Sequence, residues 1–339
     1  MNNEFLDRYS GNGMKLNFIQ RKAFNEFNEA VYNKKIIIDK VDKCFCGSKK
    51  FIKLSRFDRF GLPFGTQICT KCGLINQTVR INNDSMSLFY DKYYWNLISG
   101  KQTNINFTTP KKETNELKFI SDEININEKE IKVFEVGVGS GHKIISLKNA
   151  LNKKGYKTEL FGCDYSEDAL NFCSKNKIKT VKGGFDEISK FGKADILILS
   201  HLFEHLPDLK WGLEKIEMLT HSNSYIYVEL PGIIDLPNKL EYMYNYQDYN
   251  VLAHTYNFSL KTLSYVFSTK NYKLLKGDEY IRSIFQKGKP ESFNHKENIN
   301  EIIKSLKKSY EIDLKYSNKI NNPLRLYIKN IYKSILSQN

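Results

Sequence analysis

One stretch constrains this 339-residue chain more than any other: Val133-Phe134-Glu135-Val136-Gly137-Val138-Gly139-Ser140-Gly141-His142. An apolar run ends in glycines at alternate positions, and a segment with helical spacing follows, to about Lys153. Strand, tight turn and helix in that order open a parallel α/β sheet. Glycines admit positive φ and carry no Cβ, so a ligand can approach the backbone N–H groups of such a loop. The next apolar run, Glu159–Cys163, ends at Asp164, 23 residues past Gly141. A carboxylate at that strand tip can accept two hydrogen bonds from ribose hydroxyls. A dinucleotide fingerprint would place glycine at position 142; His142 stands there, so the loop is G-x-G-x-G, with Glu135 two residues before it.

The pattern around this loop is alternating. Lys132–Val136, Glu159–Cys163, Lys179–Lys182, Ala194–Ser200 and Tyr225–Leu230 read as five strands. Helices are expected over His142–Lys153, from Ser166, over Pro207–Leu219 and over Ser259–Thr269, with a closing hairpin in Tyr272–Phe285. Within Ala194–Ser200 the run Ile196–Leu199 is continuously apolar, as in a central strand covered on both faces. The alternation predicts a doubly wound sheet.

Loop, acid and strand order together resemble the class I S-adenosylmethionine-dependent methyltransferases over about residues 125–286. The resemblance implies that Gly137, Gly139 and Gly141, with Glu135, lie under the methionine part of S-adenosyl-L-methionine. It implies that Asp164 binds the ribose and that Tyr165 flanks the adenine. Phe185 and Asp186 would lie at the adenine's other edge, and Ser200 and His201 would close the site beside the methionine. The alternatives for the loop are a structural turn in a flavodoxin-like domain and a dinucleotide-binding one. His201-Leu202-Phe203-Glu204-His205 matches the H-x-x-E-H metalloprotease pattern, which needs both histidines on one helix. Here it leaves a strand and runs into Pro207, so it is read instead as similar to the "LEHLPD" segment of methyltransferases. His205 is then a catalytic or substrate-contacting imidazole, or a residue that packs the following helix.

Cys44-Phe45-Cys46-Gly47 and Cys69-Thr70-Lys71-Cys72-Gly73 are separated by 22 residues. Four thiolates satisfy tetrahedral zinc, and a glycine after each pair lets the backbone turn toward sulfur. A structural Zn2+ held by Cys44, Cys46, Cys69 and Cys72 is the expectation; four reduced thiols in a small core are the alternative. This module, with Arg59–Pro63 (RFGLP), Ile68–Ile75 and Phe89–Tyr94 (FYDKYY), resembles bacterial sugar methyltransferases. These include nucleotide-sugar C-methyltransferases and relatives serving surface-polysaccharide biosynthesis. In them the zinc module helps form the substrate side of the cleft. The fold class expected is thus α/β: a Rossmann-like methyltransferase sheet, a small N-terminal four-cysteine zinc ribbon and a helical C-terminal tail.

Methyl transfer from a sulfonium is an in-line displacement that needs a base for a hydroxyl or an acidic C–H. An imidazole, with an ordinary pKa of about 6.5, suits that task. Tyr242–Ser259 is rich in Tyr and holds one His. His254 aligns with the histidine of an "EH..YFS"-like stretch in the sugar C-methyltransferases, but the preceding Glu is Ala253 here, which leaves O-methylation at least as consistent as C-methylation. His254 and His205 are the catalytic candidates. Tyr244, Tyr246 and Tyr256 are read as packing or sugar-contacting groups.

The net charge of +14 is concentrated in the flanks: residues 1–82 carry 15 Lys/Arg against 7 Asp/Glu, and residues 287–339 carry 11 against 5. The middle is neutral. Basic flanks suit phosphate-bearing substrates, peripheral contact with an anionic membrane, or RNA, and are also ordinary solvated faces. No stretch has the length and apolarity of a membrane span and no secretory signal is read, so a cytoplasmic location is expected. The expected organisation is an arm with one helix around Ile19–Tyr32 (1–42), the ribbon (43–82), a connector with an aromatic helix (83–124), the methyltransferase domain (125–286) and a basic tail (287–339). A zinc-ribbon RNA-base methyltransferase is the second reading. Against it, strand four ends without an Asn/Asp-Pro-Pro-Tyr sequence and no GxxG clamp is present, so nucleic acid is not the expected partner. The third reading is a non-catalytic protein that keeps the cofactor fold as a scaffold.

Overall fold

The computed structural model describes residues 13–100 and 115–319. The chain divides into two compact units, one of residues 1–103, 232–259 and 294–339, the other of residues 104–231 and 260–293.

In the first unit, helix α1 (Phe18–Tyr32) begins with a capping box. The Gln20 amide donates to Asn17 Oδ1 at 2.9 Å and the Asn17 amide donates to Gln20 Oε1 at 3.1 Å, satisfying two helix-end donors reciprocally. Ala23, Phe27 and Ala30, one turn apart, are buried. They pack with Phe89, Tyr93 and Leu97, which share one face of the helical run Asn83–Ser99. The Phe27 and Tyr93 rings meet edge-on at 5.7 Å. Phe89 and Tyr93 of the aromatic helix expected in the connector are therefore core.

Five short strands follow α1: β1 (Ile38–Lys40), β2 (Phe51–Lys53), β3 (Thr66–Cys69), β4 (Ile75–Gln77) and β5 (Val79–Ile81). β1 pairs with β5. β2, β3 and β4 form an antiparallel sheet that a distant strand, Tyr256–Asn257, extends by pairing with β4. The helix His295–Lys319 belongs to the same unit, and its Ile302 and Leu306 are buried with Leu54, Ile68, Ile75, Ile233 and Leu236. The tail expected to be helical thus completes the ribbon's core.

The second unit is a seven-stranded sheet. Its strands are β6 (Glu130–Val136), β7 (Lys157–Asp164), β8 (Lys179–Lys182), β9 (Ala194–Ser200), β10 (Thr220–Glu229), β11 (Tyr272–Gly277) and β12 (Arg282–Lys287). Their order is β11-β12-β10-β9-β6-β7-β8, with β8 to β10 parallel and β12 antiparallel to both neighbours. Ile196, Leu197, Ile198 and Leu199 of β9 have no exposure at all, as expected of the central strand. After α2 (Asn83–Phe89), α3 (Trp95–Ser99) and α4 (Asn115–Glu123), helices α5 (His142–Lys153), α6 (Glu167–Lys175), α7 (Leu209–Leu219) and α8 (Leu260–Ser268) lie between the strands. α6 starts as its sequence predicts, with Ser166 Oγ accepting the Ala169 amide at 3.3 Å. α7 starts two residues later than Pro207, because Asp208 Oδ1 caps it by accepting the Lys210 and Trp211 amides at 2.7 and 2.9 Å. The α/β fold class expected is the one observed. The chain runs outward from β6 to β8 and then returns to β9, so the order reverses between β6 and β9. At such a switch point the carboxyl ends of the strands leave a crevice for a ligand.

Candidate functional site

The glycine loop lies at that reversal. Gly137, Gly139 and Gly141 have φ of 73°, 48° and 66°, the left-handed region that favours glycine. The first two amides of the turn, those of Gly137 and Val138, both donate to Cys163 O at 2.9 Å. The Gly139 amide donates to Asp164 Oδ2 at 2.9 Å. A Cβ at Gly139 would meet nothing within 4 Å, whereas one at Gly141 would strike Ile178 Cδ1 at 2.8 Å. Gly141 is thus required by packing, and Gly139 borders open space where a ligand can come close to the backbone.

Asp164 ends β7 and its Oδ1 accepts the Ser166 amide at 2.9 Å. Each carboxylate oxygen therefore holds one backbone N–H, which fixes the group's orientation. A carboxylate has about four acceptor positions, so about two remain for hydroxyls. The Asp164 side chain fits a vicinal diol.

Glu135 is buried beneath the loop, and its Oε2 accepts the Ile144 amide in the first turn of α5 at 3.2 Å. Burial pushes its pKa up to about 8; Lys143 and the Ile144 hydrogen bond oppose the rise, and Glu229 and Asp164 add to it. Lys143, on the first turn of α5, is ill-placed against the helix dipole. Glu229 compensates: its Oε2 lies 2.5 Å from Lys143 Nζ and also accepts from the Tyr227 hydroxyl at 3.1 Å and from Ser200 Oγ at 3.4 Å. Glu229 escaped the sequence reading. Its signal was available, an acid closing a buried strand as Asp164 does.

The other expected cofactor residues sit around the same strand tips. Tyr165 is exposed and leans over Gly184, where a Cβ would lie 3.3 Å from its hydroxyl. Phe185 is buried edge-on against Trp211, with ring centres 5.6 Å apart. Asp186 is drawn away into an ion pair with Lys215. Ser200 and His201 end β9, and His201 has φ of 51°, with its amide donating to Glu229 O at 2.7 Å. Protein atoms around its ring disfavour the charged imidazole, but Glu204 and then Glu229 outweigh them, and the pKa is raised. His205 is on the short 3-10 turn Phe203–His205 and is largely buried.

In the first unit, the four thiols converge. All lie within 4.8 Å of one another, with Cys44 and Cys72 sulfurs 3.6 Å apart and those of Cys46 and Cys69 3.5 Å apart. Zinc–sulfur bonds of about 2.3 Å in a tetrahedron put sulfurs about 3.8 Å apart, so the donor set fits the ion. Hydrogen bonds from Cys44 and Cys72 hold the Cys69 thiol far below its ordinary value. The glycine after each pair turns with positive φ, Gly47 at 81° and Gly73 at 80°; their amides donate to Cys44 O at 2.8 Å and Cys69 O at 2.9 Å.

The Tyr/His segment is built into this ribbon. Asn250 donates to Phe57 O at 3.1 Å and Phe64 O at 3.2 Å. Leu252 O accepts from Gln77 Nε2 at 2.7 Å, and Thr255 O accepts from the Gln77 amide at 3.1 Å. His254 is half-buried between those two anchors. Tyr246 is fully buried with its hydroxyl 2.7 Å from Thr66 Oγ1, and Tyr256 is 7% exposed. Tyr246 and Tyr256 are therefore packed into this unit, whereas Tyr244 is half-buried.

Residues 127–289 match the model of a family described as a methyltransferase domain. The segment is a class I S-adenosylmethionine-dependent methyltransferase domain, and the chain that carries it is an S-adenosylmethionine-dependent methyltransferase. Among solved structures it is similar to the YcgJ protein of Bacillus subtilis, at 15% identity over 48% of this chain and 70% of that one, TM-score 0.34. It is similar to the ribosomal protein L11 methylase of Lactobacillus delbrueckii, at 11% identity over 51% of this chain and 77% of that one, TM-score 0.34. It is also similar to the CMeT domain of the citrinin polyketide synthase, at 11% identity over 52% and 51%, TM-score 0.39. No curated protein matches the sequence. No described helix is long and apolar enough to cross a membrane.

Proposed function

We propose that this enzyme transfers the methyl group of S-adenosyl-L-methionine to a sugar, as a nucleotide-sugar or a surface-polysaccharide intermediate. The cofactor, when bound, supplies an electrophilic methyl group on a sulfonium. Glu135 and the loop of Gly137, Gly139 and Gly141 shape the methionine side of its site. Asp164 orients the ribose through its free acceptor positions, and Tyr165 and Phe185 border the base. Ser200 and His201 close the methionine end. Asp186, whose carboxylate is engaged by Lys215, contributes position more than a hydrogen bond. The observation that carries the cofactor reading is the Gly139–Asp164 hydrogen bond, which locks loop and acid in one arrangement with acceptor positions to spare.

The sugar reading rests on the resemblance of the cysteine module, RFGLP and FYDKYY to bacterial sugar methyltransferases. It is supported by the strand Tyr256–Asn257, which joins the four-cysteine sheet and ties His254 to it. A structural zinc at Cys44, Cys46, Cys69 and Cys72 would stiffen that sheet and hold the imidazole that takes the acceptor's proton, with His205 the other candidate for that role. The basic flanks suit an acceptor that carries phosphate. The test is incubation with labelled S-adenosyl-L-methionine and a panel of nucleotide-sugars, read by mass spectrometry. A gain of one methyl group on a sugar is expected. No gain across the panel, with label entering RNA in a salt-sensitive manner, would favour the zinc-ribbon RNA reading instead.

A further inference from the structure

The helix His295–Lys319 carries a row of buried polar side chains that apolar docking does not require. Asn298, Ser305 and Ser309 share its buried face with Ile302 and Leu306, and Asn298 and Ser309 have no exposure at all. Each donates to a main-chain carbonyl of a different segment. Asn298 Nδ2 reaches Cys72 O at 3.4 Å, Ser305 Oγ reaches Ile234 O at 2.7 Å, and Ser309 Oγ reaches Tyr244 O. Asn298 Oδ1 also accepts from Ser259 Oγ at 2.7 Å. An apolar stripe is enough to hold a helix against a core; these directional bonds fix its register as well.

The two ends of the row meet different partners. At one end is the second cysteine pair. Gly73 follows Cys72 with φ of 80°, and a Cβ there would lie 2.6 Å from Asn298 Nδ2 and 3.1 Å from Ile299 Cγ1. The first turn of the helix is thus seated directly on the backbone of the Cys69–Gly73 turn, whose shape an ion on Cys69 and Cys72 would set. At the other end, Met243 and Tyr244 have φ of 52° and 56°. Two successive non-glycine residues stay in the left-handed region only where surrounding structure over-determines them. The Tyr244 amide donates to Lys239 O at 3.1 Å, and Ser309 holds the Tyr244 carbonyl.

We propose that the C-terminal helix is a metal-dependent strut that joins the four-thiol centre to the Met243–Tyr244 turn of the Tyr-rich segment. The proposal rests on the zinc reading of the cysteines. An ion on the four sulfurs fixes the Cys72 carbonyl and the Gly73 turn, and with them the seat of Asn298. The free energy of binding a structural ion is the folding free energy of what it orders, and this helix is part of what it orders. Such coupling is reciprocal, so loosening the seat from the helix side must weaken the hold on the ion. Asn298 is therefore a positioning residue of the metal centre, acting on a ligand's carbonyl as outer-shell groups do.

Hydrogen exchange of the full-length protein, zinc-loaded and then stripped with a chelator, tests the strut. Stripping should speed exchange at residues 295–313 and 239–246 together with 43–77, while α1 and the strands β6, β7 and β9 stay protected. Zinc-loaded Asn298→Leu should release its zinc to a chromogenic chelator about 10-fold faster than wild type or more. Ser309→Ala, a small change at the far end, should speed exchange at 239–246. A helix that stays protected after stripping overturns the proposal. So does Asn298→Leu that keeps α1 protected and releases zinc at the wild-type rate. If α1 loses protection in Asn298→Leu, Ser309→Ala decides, and unchanged exchange at 239–246 overturns the strut. A wild type that elemental analysis finds unable to bind zinc ends the zinc reading and the strut with it, a result distinct from a zinc-bearing protein whose helix ignores the ion.

Discussion

Asp58 Oδ2 accepts the Leu252 amide at 3.1 Å, joining residues 194 apart in the chain. Asp58 Oδ1 accepts the Phe60 and Leu62 amides, both at 2.9 Å, so one carboxylate shapes the Arg59–Pro63 turn and pins the segment that carries His254. Burial raises its pKa from 3.8 to about 7 against the pull of those three amides and Arg59. The folded state therefore holds this proton more tightly than the unfolded chain. The group's contribution is complete below about pH 4 and is lost as pH rises through about 7.

Asp58→Ala should cost roughly 3–5 kcal/mol, because three amides in a buried turn lose their acceptor. Asp58→Asn removes the titration. The difference in unfolding free energy, wild type minus Asp58→Asn, should fall by roughly 2–4 kcal/mol between pH 4 and pH 7. Urea denaturation at a series of pH values measures it, and a constant difference would refute the assignment.

Asp164→Ala should weaken S-adenosylhomocysteine binding by roughly 1.5–3 kcal/mol, the worth of hydrogen bonds to a charged group. The Gly139 amide loses its acceptor in the same step, so Asp164→Asn, which retains one acceptor oxygen, should lose less. Calorimetry reads both, and wild-type affinity in the alanine variant would show that the ribose lies elsewhere.

Much of this was legible in the sequence, for reasons that differ by element. β9 announces itself because its middle, Ile196–Leu199, is covered on both faces and apolar at every position. The loop announces itself because its three positive φ values lie in the region that favours glycine. The Tyr-rich stretch misled in part, since tyrosine serves both a sugar face and a core; Thr66 beside the Tyr246 hydroxyl decides for the core. Glu229 and Lys143 were invisible as a pair, being 86 residues apart and joined only once β10 and α5 are placed. The tail read as helical, but its seat on Ile68 and Ile75 is a tertiary fact that no local pattern encodes.

The Lys143–Glu229 pair makes a distinct prediction. Glu229→Ala strands a cation at a helix N-terminus, with the Tyr227 and Ser200 hydroxyls also losing their acceptor. It should destabilise the domain by roughly 3–5 kcal/mol. Adding Lys143→Met should recover a large part of that, roughly 1–3 kcal/mol, because the stranded charge goes with it. A double-mutant cycle in thermal or chemical denaturation checks this, and strict additivity would mean that the pair is not coupled.

Removing metal from the four-thiol centre should loosen the ribbon before the parallel sheet. Hydrogen exchange with a chelator present should show faster exchange at residues 43–77, while β6, β7 and β9 stay protected. Cys72→Ser should reproduce the effect without chelator. Elemental analysis of purified wild type should find zinc in proportion to chain, and its absence under anaerobic purification would end the zinc assignment.

His254 makes the sharpest catalytic prediction. Its neighbours Leu252 and Thr255 are held by Gln77 and Asp58 through main-chain groups, so replacing the imidazole leaves those anchors in place. His254→Ala should therefore lower kcat by about 100-fold or more, in the range general-base removal commonly gives. Affinity for S-adenosylhomocysteine should stay within about twofold, since no cofactor contact is removed. Single-turnover methyl transfer and calorimetry on the same preparation measure the two effects. Retained turnover would shift the base to His205, and His205→Asn would then show the loss in place of His254→Ala.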